Sequence, residues 1–307
     1  MDVKRFPYGG QAVLEGVMMR GLRQATIAVR SPEGEIILKH EQLNVTRRHV
    51  WERMPFLRGM LALWDALNLG IRALTFSSNV ALGEDTQPSN GMMAGTVVVS
   101  LGFSIGLFFV VPLLLSNLLT GFGATLLLRD AADGALRLLI FVGYLLLIGR
   151  MPDIQRVFAY HGAEHKTINA YEAGAPLTVE STRRFTLIHP RCGTSFLLVV
   201  VLLSIPIFAL FGGMPFIVRL LSRIVLVPAI AAIAYELLRL SAAHYYRSWV
   251  RTLVAPSLAL QRLTTREPDD TMLEVAIAAL VPVLAADGVA VQAGETAFTP
   301  GVSVASV

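Results

Sequence analysis

Two histidines flank a glutamate in HGAEH at residues 161–165, and a third histidine stands three residues before the single cysteine in HPRC at 189–192. On a helix His161 and His165 project from one face a turn apart, the spacing at which two imidazoles can share a metal ion. HxxEH is also the residue order of inverzincin sites, where the histidines are ligands and the glutamate activates metal-bound water. A short-spaced pair followed some two dozen residues later by another is the usual grammar of a metal site, so His161, His165, His189 and Cys192 form a candidate ligand set, and imidazole with thiolate suits zinc. Four protein ligands would close the site and make it structural. Three histidines plus water, with Glu164 as base, would be a hydrolytic centre. Other roles stay open: Cys192 as a nucleophile near a helix start, Cys192 as a small buried residue in a tight turn, or His161 and His165 as polar residues on a loop helix.

Glu15 interrupts an apolar, strand-like segment, where an acid is costly to bury unless paired. It points either to solvent or into the site. Glu172, eleven residues beyond His161, returns to nearly the same helix face. Glu236 lies one turn before Arg239, which suits an interfacial ion pair, and it is also placed to act as a distant carboxylate ligand.

The elements that position these groups belong to a membrane protein. The chain has 307 residues, 54% hydrophobic and 16% charged, with mean hydropathy +0.60; an ordinary soluble domain carries about 25% charged residues. Apolar stretches at 92–119, 135–149, 195–211 and 217–238 predict four transmembrane helices. Lys and Arg number eleven in residues 1–90, six in 150–194 and five in 236–307, which puts both termini and the motif loop in the cytoplasm. A lone cysteine suits a reducing compartment, and no cleaved leader is expected from MDVKRFPYGG.

The expected organisation runs in order along the chain. A cytoplasmic β-containing head occupies 1–58, with two β-prone segments around a Pro/Gly turn. An amphipathic helix and linker follow at 59–91, the helix either lying in the membrane interface or packing on the head. Transmembrane helices 1–2 lie in 92–149, the cytoplasmic motif loop in 150–194, and transmembrane helices 3–4 in 195–238. A cytoplasmic helical tail opened by a Thr271–Glu274 capping box fills 239–287, and a disordered end covers 288–307. No repeat, phosphate loop or dinucleotide fingerprint is present.

Five segments, GGQAVLEGVMMRG, PFLRG at 55–59, YHGAEHKTIN, HPRCGTSF and LQRLTTREPDD at 260–270, resemble the YqhQ family of bacterial membrane proteins. The resemblance spans nearly the whole chain and implies a metal-dependent enzyme of unknown substrate. The expectation is therefore an α-helical integral protein of the bacterial inner membrane, multi-pass, with membrane lipid around it and no nucleic-acid partner. Its divalent metal, zinc, would be held by His161, His165, His189 and Cys192 and would serve hydrolysis with Glu164. The alternative is a non-catalytic scaffold with a structural metal site. A transporter is disfavoured because the span centres carry almost no ionisable residues.

Overall fold

Strand formers alternate with turn formers through the first forty residues, and they fold into a meander. β1 (Gly9–Val13), β2 (Gly16–Arg20), β3 (Gln24–Arg30) and β4 (Ile36–Gln42) pair antiparallel in chain order. The structure is a computed structural model that describes residues 8–43, 54–82, 90–290 and 302–304. The expected turn closes β3 onto β4, with Gly34 at φ 91°, a left-handed angle that a side chain would resist.

Both faces of this sheet are covered, which is why its strands read as nearly continuous apolar runs. Met18, Ala25, Ile27 and Val29 pack with Leu69 and Ala73 of α1 (Leu57–Leu82). Val17, Met19 and Ala28 pack with α5 (Pro152–Glu172) and α11 (Asp270–Ala286). The helix expected as an amphipathic tail is thus the core of the sheet-containing body: Val275, Ala276, Ala279, Leu280, Val283 and Leu284 are fully buried. Its cap also differs from the expected Thr271–Glu274 box. Asp269 accepts from the Met272 N–H, and Glu274 pairs instead with Arg30 of β3.

Within the end expected to be disordered, Val302–Val304 (β5) pairs parallel with β4, because a short Val/Ser alternation finds an open sheet edge. The rest of that end from 291, most of the 83–91 linker, and residues 1–7 and 44–53 of the head lie outside the described residues.

Among the described residues, two helices are long and apolar enough to cross a membrane, three if a bent pair counts as one span. The first candidate, Gly95–Phe122, joins α2 (Asn90–Ile105) to α3 (Val111–Leu118) through a π turn at Gly106–Val110. Pro112 explains that turn, since it has no N–H for the regular ladder and its ring crowds the carbonyl one turn back. The second is α4 (Leu126–Ile148), which begins nine residues before the expected 135 because Arg129, Asp130 and Asp133 belong to the helix.

The expected span at 217–238 is two helices, α8 (Phe216–Val225) and α9 (Val227–Ala243), bent by 46° where Pro228 opens α9. α7 (Gly193–Ala209) is apolar but has only 17 residues. At about 1.5 Å per residue that falls short of the roughly 30 Å hydrocarbon core. Four spans therefore do not follow from helix length alone. Nor are these helices free of charge: Asp133, Arg137, Arg219 and Arg223 are all buried among them. Apolarity averaged over a window had hidden them.

Candidate metal centre

α5 begins with Pro152 at its first turn and closes at Gly174, φ 69°, where the sequence placed its end. Along its buried face His161 and His165 stand one turn apart, ring centroids 4.4 Å from each other. A second short helix, α6 (Val179–Arg183), turns the chain back toward α5. The loop that follows is tied down: Asn169 donates to the carbonyls of Thr186 and Ile188. From that loop Cys192 arrives as the N-cap of α7, its Sγ accepting from the Thr194 N–H.

His161 Nε2 lies 3.2 Å from Cys192 Sγ, and one ligand atom each from His161, His165 and Cys192 fall within 4.8 Å of one another. Both imidazoles are locked from behind. His161 Nδ1 meets the Thr264 carbonyl at 2.8 Å, at the end of α10 (Ser248–Thr264), and His165 Nδ1 meets the Leu187 carbonyl. A carbonyl can only accept, so each Nδ1 carries the proton and each Nε2 keeps its lone pair. This is the second-shell arrangement that orients metal-binding histidines. Burial pushes the His165 pKa below its ordinary value, which keeps the ring neutral and its lone pair available. Two imidazoles and a thiol fit a soft or borderline divalent metal such as zinc.

His189 does not join this group. Its ring lies 5.7 Å from that of His165, but its Nε2 sits 3.6 Å from a Glu172 carboxylate oxygen, and Glu172 also pairs with Arg191. The backbone of His189 is clamped at both N–H and C=O by the Gln261 side chain of α10. Glu164 is buried and turned to the sheet, accepting the Gly10 N–H of β1 at 2.9 Å. Burial raises its pKa, opposed by the nearby His161 and by that N–H.

The other candidate acids are engaged elsewhere. Glu15 occupies the β1–β2 turn at φ 50°, not a strand interior, and binds Arg156 of α5. Glu236 binds Arg58 of α1 through a 2.7 Å hydrogen bond, so it is neither a ligand nor simply the partner of Arg239. Sequence reasoning missed Gln261 and Thr264 as the groups that hold the site. Both lie in LQRLTTREPDD, which had served only to carry the resemblance.

Comparison with known proteins agrees with that resemblance. A family model described as "Protein of unknown function (DUF1385)" matches residues 54–286. The chain is 34% identical over 285 residues to "Uncharacterized protein YqhQ" of Bacillus subtilis (strain 168), covering 88% of this chain and 90% of that one. The chain belongs to this family. No solved structure matches it. Neither description states an activity or a metal, so the DUF1385 assignment adds no chemistry to the site. The 54–286 match takes in the HGAEH, HPRC and Thr264 segments but not the strand that supplies Gly10.

Proposed function

We propose that this DUF1385 protein is a multi-pass protein of the bacterial inner membrane that binds one divalent metal, zinc, through His161, His165 and Cys192 and uses it for hydrolysis at the cytoplasmic face. The observation that carries the reading is the pair of Nδ1–carbonyl bonds, which leave both Nε2 lone pairs for the centre that Cys192 shares. Three protein ligands leave a fourth position open, the pattern of catalytic zinc sites. When bound there, zinc supplies Lewis acidity and lowers the pKa of a water ligand. Glu164, one residue before His165, is the acid proposed to take the water proton; its carboxylate accepts the Gly10 N–H here and must turn from β1 to do so, while burial moves its pKa in the direction that a base working near neutral pH requires.

Four crossings are supported by packing. β1–β4, α5 and α11 share one hydrophobic core, so they lie on one side of the membrane. Each excursion between them must then cross an even number of times: the two long spans before α5, and α7 with the bent α8–α9 pair after it. The Lys and Arg distribution makes the shared side cytoplasmic.

A structural clip is the second reading, favoured by the burial of His165 and Cys192 and by the engagement of Glu164 with Gly10. Metal analysis of purified protein together with genetic complementation separates the two. The catalytic reading expects about one zinc per chain, lost in His165→Ala. Glu164→Gln would then retain metal and abundance but fail to complement. Full complementation by Glu164→Gln at normal abundance removes the enzyme and leaves the clip, and metal-free wild-type protein removes both.

A further inference from the structure

A second cluster lies far from the histidines, within the membrane helices. Asp133 and Arg137 stand one turn apart on α4, and Arg219 and Arg223 one turn apart on α8. Asp133 pairs with Arg137 at 2.7 Å and with Arg223 at 2.9 Å. Arg137 also donates to Ser204 of α7, and Arg219 reaches Asn117 of α3 at 3.2 Å. All four charged residues are more than nine-tenths buried, Arg137 completely.

The cluster is not balanced. Asp133 is the carboxylate in ion-pair contact with these groups, and with the neighbouring Arg129–Asp130 pair included four guanidinium groups stand against two carboxylates, which leaves two positive charges uncompensated. The donors are not satisfied either. Arg137 Nε, Arg219 Nε and Nη2, and Arg223 Nε and Nη1 have no hydrogen-bond partner among the described residues. The Phe208 ring lies 4.8 Å from the Arg137 guanidinium carbon and 4.2 Å from that of Arg223. A ring stabilises the charge but accepts few of the in-plane N–H groups. Buried arginines in lipid-surrounded helices are costly, and in membrane proteins such groups mark ligand or ion sites. Asp133 and Arg223 each lie seven residues inside their helices, about 10 Å along the axis at 1.5 Å per residue, which on the proposed topology puts the site below the membrane surface on the side opposite the histidines.

We propose that Arg137, Arg219 and Arg223 form an oxyanion site inside the membrane unit whose ligand is a phosphate group, either free or the phosphomonoester head of a lipid. The planar guanidinium fork matches the tetrahedral oxygens of phosphate, and a monoester carries roughly −1.5 to −2 charge at pH 7, close to the excess of the cluster.

The test is titration of lipid-depleted, detergent-solubilised full-length protein in phosphate-free buffer, treated with chelator so that the histidine site plays no part. The probes are inorganic phosphate, short-chain phosphatidic acid and short-chain phosphatidylcholine, read by calorimetry and by thermal unfolding. Wild-type protein is expected to bind phosphate or phosphatidic acid at one site, more weakly as salt is raised, and Arg219→Gln to bind at least about tenfold more weakly. Asp133→Asn, which removes the carboxylate paired with Arg137 and Arg223, should bind as well or more tightly. Phosphate alone identifies a soluble anion, and phosphatidic acid alone identifies a lipid head. Equal binding of phosphatidylcholine, absence of binding by wild type, or unchanged binding by a folded Arg219→Gln each overturns the proposal. Should Arg219→Gln not fold, the wild-type titrations and Asp133→Asn decide it.

Discussion

Cys192 changes the character of the histidine site more than any other residue. Its sulfur is the ligand atom that the loop entering α7 brings to the α5 histidines, so Cys192→Ser is expected to lower zinc content sharply while the Nδ1–carbonyl bonds hold the histidines in place. Zinc measured on purified protein, normalised to chain concentration, checks this; full zinc in the serine variant would remove Cys192 from the ligand set. Gly162 sits between the two histidines for a different reason. A Cβ there would meet the Arg266 carbonyl oxygen at 2.1 Å, because the segment after α10 runs against the helix and donates the Arg266 N–H to the Phe158 carbonyl. Gly162→Ala should therefore cost about 1–3 kcal/mol of stability. It should also weaken zinc binding by displacing the Thr264 carbonyl behind His161, an effect visible as a lower denaturation midpoint and a poorer metal yield.

Among the elements, α11 shows how local chemistry is overridden by position. Its all-round apolar surface makes it a core helix, and its start is set by Asp269. Burial acts to raise the Asp269 pKa, but hydrogen bonds from the Thr271 hydroxyl and the Thr271 and Met272 amides outweigh it, leaving the pKa below its ordinary value of 3.8. A depressed carboxylate pKa contributes stability that is present above the unfolded value and lost as pH falls through the folded one. Asp269→Ala should cost about 1 kcal/mol at neutral pH, and its difference from wild type should shrink below pH 4. Denaturation midpoints at pH 7 and pH 3.5 test this; a pH-independent difference would mean that the cap acts without its charge. α1 shows the packing alternative: Leu69 and Ala73 pack on the sheet, while Trp64 and Leu67 on its other side stay exposed.

For the molecule as a whole, the joining of the N-terminal sheet, α5 and α11 in one core makes the proposed topology testable. Reporters active only outside the cytoplasmic membrane should be silent when fused at residue 170 and active when fused near Gly123 or Gly213, the turns at the far ends of the long helices. Activity at 170 would invert the orientation. Silence at 213 alone would mean that α7 and the α8–α9 pair enter the bilayer and return, leaving two crossings.

Periodicity and composition were enough to place an antiparallel β-meander in the head, the extent of α1, the C-terminal end of α5, and the meeting of the HGAEH histidines with Cys192. Each of these rests on local spacing or on an apolar run. Tertiary structure decided the rest, because it depends on contacts between residues far apart in the chain. His189 turns to Glu172 and leaves a three-residue group, Glu164 turns to Gly10 across 154 residues, and α11 becomes a core because the sheet needs a cover on its second face. The arginines of α4 and α8 read singly as charges near span starts. Only when the helices pack do they face one another, with more positive charge than Asp133 can balance.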